Sequence, residues 1–241
     1  MSKVSRLSAI LLLGLTMILA RTLIWGTGGA SAQSCSYQSV VLADDPIAYW
    51  RLGETSGPAV NISNLGSAVN GTYYYSDSLG VPGLVPRDPD LSTHSTVSIP
   101  NHDDINTNGP YNAKTIEIWF EAYYAKDNTQ VLYEQGDRSD GLNLFLEGDQ
   151  LHVGAWANNS GSWINTTITP GIIYHVALVF DGSSQTVTGY LNGASFGSLA
   201  TSFTSIPSHS DGIAIGVING ETRLSNSRVG SGNLYLDGDM D

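Results

Sequence analysis

Apolar and polar positions alternate with a period of two along most of this chain. In residues 174–194, YHVALVFDGSSQTVTGYLNGA, two such runs flank a polar turn. In the first run Val176, Leu178 and Phe180 face one way and His175, Ala177 and Val179 the other. Few of these are polar, so the pattern predicts an inner strand covered on both faces. Asp181, Gly182, Ser183, Ser184 and Gln185 supply turn chemistry, with Gly182 tolerating positive φ. Residues 186–191 alternate Val187, Gly189 and Leu191 with Thr186, Thr188 and Tyr190. Asn192-Gly193 then gives the strongest short-range hairpin signal.

The same signature recurs elsewhere. Residues 36–48 read as a lead-in and first strand. Further strands are predicted at 96–99, 115–122, 130–134, 142–146, 150–156, 164–168, 212–217 and 234–236. Gly, Pro, Asn and Asp clusters separate them, as at Gly80–Gly83 and Pro86–Pro89. No window shows sustained helical periodicity. Short strands at regular spacing with turn signals between them predict an all-β, two-sheet antiparallel sandwich of jelly-roll type. Residues 36–241 show no repeat and no linker, so one domain is expected over residues 33–241.

Residues 1–32 stand apart from this pattern. Lys3 and Arg6 precede an apolar stretch at 7–20, and Ala30-Ser31-Ala32 offers a small-residue cleavage site. This predicts a signal peptide and a secreted or cell-surface protein. The stretch is short for a membrane span. The 241 residues carry 10 Lys+Arg against 22 Asp+Glu. Loss of the leader removes Lys3, Arg6 and Arg21 and no acid, so the mature chain is still more acidic. Such a chain repels phosphate backbones, which excludes nucleic acid as a partner. Cys35 is the only cysteine and makes no internal disulfide.

Candidate chemistry is sparse. The five histidines, at 94, 102, 152, 175 and 209, include no His-Glu-x-x-His pair, so a zinc site lacks support. His175 and Trp119 are expected in the core. No serine sits in a strained Gly-x-Ser-x-Gly turn before a helix. Trp156 and Trp163 bracket a loop containing Asn158 and Asn159. Indole faces stack on sugar C–H surfaces and Asn amides serve hydroxyls as donor and acceptor. These four residues are the candidate ligand-binding set. Sequons at Asn61, Asn70, Asn158 and Asn165 mark candidate surface loops. Acidic loops suit Ca²⁺, and Asp137 and Asp140 lie in one of them.

Five stretches occur in a telling order: VLADDPIAYWRLGETSG, Asp88-Pro89-Asp90, TIEIWFEA, the pair YHVALVFDG and YLNGA, and the terminal GDMD. Over about residues 38–241 the chain resembles LamG-like (laminin G-like) jelly-roll domains of the concanavalin A-like lectin/glucanase superfamily. The resemblance implies a non-catalytic extracellular module that binds glycans or cell-surface proteins within a larger protein. It also implies a last strand that continues beyond Asp241. Carried over from the superfamily, a structural Ca²⁺ is expected at Asp241, with backbone oxygen near Gly53. The alternatives are a module of a glycan-active hydrolase whose catalytic part lies elsewhere, or a purely structural surface or phage-like domain. The superfamily's β-glucanases carry Glu-x-Asp-x-Glu on one strand. Here Glu117 and Glu121 match its outer positions, but Trp119 stands in the middle. Two Cα atoms four residues apart on a strand are ~13 Å apart. A retaining glycosidase needs carboxyls ~5–5.5 Å apart. An indole between them obstructs that approach, so no enzyme activity is expected.

Overall fold

The computed structural model describes residues 36–241 apart from Asn233. The expected leader at 1–32 and Cys35 lie outside the described residues. One short helix, α1 (Tyr37–Ala43), opens the described chain. Strands β1 (Thr72–Tyr73), β2 (Leu79–Pro82), β3 (Leu91–Thr93) and β4 (Val97–Ile99) follow. The long strands are β5 (Ala113–Ala122), β6 (Lys126–Gly136), β7 (Gly141–Gly148), β8 (Gln150–Ala157) and β9 (Ser160–Thr167). Next come β10 (Ile173–Asp181), β11 (Thr186–Leu191), β12 (Ala194–Ala200) and β13 (Ile213–Ile215). The series ends with β14 (Glu221–Ser225), β15 (Arg228–Ser231) and β16 (Gly238–Met240).

Two seven-stranded antiparallel sheets form the sandwich. The first runs β1-β4-β13-β6-β7-β8-β9 and the second β12-β11-β10-β5-β16-β3-β2. The central β10 pairs with β11 from Val176↔Leu191 to Asp181↔Thr186, as the alternation requires. Its Val176, Leu178 and Phe180 are fully buried and join Ile118, Phe120, Leu144 and Val153 in the main core. Asn192 and Gly193 both have positive φ, the geometry of the two-residue hairpin joining β11 to β12. Gly182 serves differently from expectation: a β-carbon there would overlap the carbonyl of Thr204, and the positive φ falls on Gln185.

Three expectations change. Residues 37–43 form a helix because Ser36 caps it, its hydroxyl accepting from Ser39 N at 3.2 Å. The second face of β10 is only half-covered: His175, Ala177 and Val179 lie on the outside of the sheet. Trp119 and His175 are therefore not core residues. They are cross-strand partners on that outer face, with ring centroids 5.0 Å apart.

The first sheet carries a second layer on its outer face. Hairpin β14–β15 folds over it and buries Val131, Phe145, Ile218 and Leu224 against Trp163 and Leu234. This small satellite core forms one wall of the groove described next.

Candidate functional site

On β8 and β9 alternate residues point out of the first sheet. Leu151, Val153 and Ala155 face the main core, so His152, Gly154 and Trp156 face outward. The register pairs His152 with Asn165, Gly154 with Trp163, and Trp156 with Gly161. Gly154 and Gly161 leave a flat floor. A β-carbon at either position would overlap the Trp163 indole, which lies directly over them. The indole N–H donates to Asn143 Oδ1 at 3.1 Å. The amide of Asn143 in turn donates to Thr222 Oγ1 and to Arg223 O, so the floor is tied to the hairpin.

Trp163 lines a groove of about 510 Å³ between β8–β9 and the β14–β15 hairpin. Asn226, at the hairpin turn, accepts from Gly161 N at 2.8 Å and donates to Gly161 O at 3.1 Å. On the other side Arg228 pairs with Glu147, whose second oxygen lies 3.8 Å from His152 Nε2. His152 stacks on Phe145 at 4.7 Å, and burial pushes its pKa down. A neutral imidazole offers one donor and one acceptor. The groove thus combines a half-exposed indole with imidazole, carboxylate, guanidinium and amide groups along its walls.

Of the four expected ligand residues, only Trp163 lines this groove. Trp156 is 0% exposed, stacked on Trp163 at 6.0 Å, and its N–H donates to Asp137 O. It supports the Trp163 ring and offers no face to a ligand. Asn158 and Asn159 both have positive φ and form the β8–β9 turn, which explains two adjacent asparagines there. Asn159 Oδ1 accepts from Arg223. The groove adds Glu147, His152, Asn165, Asn226 and Arg228. Nothing in the local sequence marks these five residues; their convergence required the register. Among the sequons, Asn61 is buried with its side chain hydrogen-bonded, whereas Asn158 and Asn165 are exposed.

The residues expected to hold Ca²⁺ fall in two separate places. Asp137 and Asp140 lie in the β6–β7 turn of the first sheet, and Asp241 follows β16 of the second. Asp137 Oδ1 accepts from Ser139 N and Asp140 N, and Asp140 Oδ1 from Asn158 N, so these carboxylates order turns. Asp90 adjoins both Gly53 and the stretch around Asp241. There, however, the Arg51 guanidinium lies 3.0 Å from Asp88 and 2.6 Å from Asp90. Leu84 N donates to Asp241 Oδ2 at 2.9 Å. A calcium shell needs about six to eight converging oxygens. Among the described residues no group of three or more His, Cys, Asp or Glu is placed to hold a metal.

Glu117 and Glu121 sit on the outer face of β5 with Trp119 between them. Glu117 Oε2 lies 3.4 Å from His175 Nε2, and this contact holds its carboxyl below the usual carboxylate range although burial pushes it up. Tyr37 of α1 packs edge-on against Trp119 at 6.0 Å. Among the described residues no helix is long and apolar enough to cross a membrane.

Similarity to known proteins agrees with this architecture. A laminin G-type family model, described as the concanavalin A-like lectin/glucanases superfamily, matches residues 91–241, more than half of the chain. Botulinum neurotoxin type C, whose passage into cells depends on interaction with two ganglioside molecules, is similar in structure with a TM-score of 0.53. It is 14% identical, over 73% of this chain and 43% of that one. The binding domain of botulinum neurotoxin DC, solved in complex with rat synaptotagmin II, gives 0.52 at 14% identity, over 71% and 43%. Domains LG4-5 of the mouse laminin alpha1 chain give 0.45 at 10% identity, over 60% and 36%. The chain thus spans less than half the length of these three, and the likeness is one of fold. No curated protein matches the chain. The chain belongs to the concanavalin A-like lectin/glucanases superfamily.

Proposed function

We propose that the chain is a non-catalytic, extracellular binding module that recognises a glycan in the groove over Trp163. The observation that carries this reading is the half-exposed indole held flat on Gly154 and Gly161, with polar groups ranged along the groove. A sugar ring stacks its C–H face on such a surface while its hydroxyls bond to amides and an imidazole. A botulinum neurotoxin of similar fold interacts with gangliosides, which supports a glycan as ligand. The leader pattern at 1–32 supports an extracellular setting. Trp119 in place of a middle carboxylate supports a role without catalysis.

A panel of immobilised oligosaccharides, neutral and sialylated, tests the proposal. The chain is expected to bind at least one, and Trp163→Ala to weaken that binding at least tenfold, or ~1.4 kcal/mol. Asn226→Ala, which loosens the wall and leaves the floor, is expected to weaken it less. Binding unchanged in a folded Trp163→Ala protein, or no binding to any glycan, contradicts it.

A further inference from the structure

Glu134 lies in the middle of the first sheet, paired in register with Asn143 on β7 and Ala214 on β13. Side chains directly opposite each other share a face, so Glu134 sits beside Asn143 on the outer face. It is 0% exposed. One carboxyl oxygen, Oε1, accepts from Asn219 N at 2.8 Å, just ahead of β14. The other, Oε2, is buried without a hydrogen-bond partner among the described residues.

The donors and cations around this oxygen are committed elsewhere. Asn143 Nδ2 donates to Thr222 Oγ1 and Arg223 O, and Asn219 Nδ2 to Ser98 Oγ. Arg223 on β14 gives its guanidinium to Arg138 O, Asn226 O and Asn159 Oδ1. Arg138, in the β6–β7 turn, pairs with Glu221 of β14. Asp137 of that turn accepts from the amides of Ser139 and Asp140. Ahead of β13 stands Asp211, an exposed acid that accepts from Glu221 N at 2.9 Å. An ionised carboxylate in such surroundings is costly, and a protonated one costs far less. Burial pushes the Glu134 carboxyl well above the usual carboxylate range; the Asn219 amide opposes this and Asp211 adds to it.

The chain that covers Glu134 also walls the groove. Ile218 and Leu224, on either side of Asn219, pack in the satellite core with Phe145. Asn143 ties Thr222 and Arg223 to the Trp163 indole. We propose that Glu134 is a proton-dependent positioning residue for the groove: protonated, it seats residues 216–224 and the hairpin they lead into; ionised, it draws in water, unseats them and weakens the hold on the ligand. The effect on ligand rests on the glycan reading above, whereas the seating does not. An acid that binds its proton more tightly when buried favours the buried arrangement at low pH. Seating is therefore complete below pH ~4.5, the ordinary value for this carboxyl, and is lost as pH rises above it.

The experiment follows the protection factor of the Asn219 amide, which bonds to Glu134, from pH ~4.5 to ~8, with the Leu178 amide of β10 as reference. Protection of Asn219 is expected to fall at least tenfold across this range while Leu178 holds. Affinity for the oligosaccharide that binds best is expected to fall in step. In Glu134→Gln, which keeps the acceptor and does not ionise, both are expected to stay level. In Asp211→Asn, which relieves the like charge and serves if Glu134→Gln fails to fold, the fall is expected at lower pH. In Asp241→Asn, on the other sheet, it is expected to persist. A level profile in the unaltered chain overturns the proposal. So does a fall that survives Glu134→Gln, one unmoved by Asp211→Asn, one abolished by Asp241→Asn, or affinity that holds while protection falls. If no oligosaccharide binds at any pH, the glycan reading fails, and Asn219 protection still decides whether Glu134 seats the hairpin.

Discussion

Trp163 owes its position to what its neighbours lack. With hydrogen in place of a side chain at 154 and 161, the indole lies on the backbone. Gly154→Ala is expected to lift the ring and to weaken glycan binding at least tenfold, read by calorimetric titration; unchanged affinity would mean that the flat floor is irrelevant. The acid at 241 makes a separate point. Burial raises its pKa to about 6 from an ordinary value near 3.8, against the opposing amides of Leu84 and Val85. A carboxyl whose folded pKa is raised binds its proton more tightly in the folded state. Its contribution to stability is full below pH ~4 and is lost as pH rises through ~6. Asp241→Asn is therefore expected to raise the melting temperature at pH 7 and to flatten its decline between pH 4 and 7. An unchanged pH profile in thermal unfolding would refute this. In the sequence, Trp163 was legible as a sugar platform because the residue type carries the chemistry. Trp156 was not distinguishable from it, since strand parity places both on one face and only the overlying β6–β7 turn buries one.

At the scale of elements, hairpin β14–β15 gives the groove a wall, and the satellite core anchors it. Leu224 and Ile218 are buried there beside Phe145. Leu224→Ala is expected to destabilise by about 2–4 kcal/mol, as for other large-to-small core changes. It should also loosen Asn226 and weaken glycan binding; denaturant unfolding and titration report the two effects. A loss of stability without loss of binding would detach the hairpin from the site. This hairpin left little trace in the sequence. Glu221–Ser225 and Arg228–Ser231 are mostly polar, and only Leu224 and Val229 carry an apolar signal. The helix at Tyr37–Ala43 was hidden for the converse reason: Val40, Val41 and Leu42 read as strand, while the Ser36 cap decided the local geometry. Long strands with clean alternation, such as β5 and β10, were legible, and their ends shifted by a few residues at most.

Across the whole molecule, the two-sheet sandwich follows from the period-two pattern and its turn signals, because a strand with one apolar face has few ways to bury it. Which sheet carries a site does not follow from pattern, since both outer faces display aromatic and charged residues. The expected calcium was carried by resemblance to the superfamily, and here Arg51 pairs with Asp88 and Asp90 close to Gly53 and Asp241. Thermal unfolding is accordingly expected to be the same with millimolar Ca²⁺ and with chelator. A calcium-dependent rise in melting temperature would show that the carboxylates around Asp241 rearrange to admit the ion.

The central claim is that ligand binds on the outer face of the first sheet, over Trp163. Indole N–H resonances, followed by two-dimensional NMR during titration with the oligosaccharide that binds best, test it most directly. The Trp163 signal is predicted to shift progressively with ligand, with a smaller change at Trp156 beside it, while Trp50 and Trp119 stay in place. Shifts confined to Trp119, on the opposite sheet beside Glu117 and His175, would contradict the account.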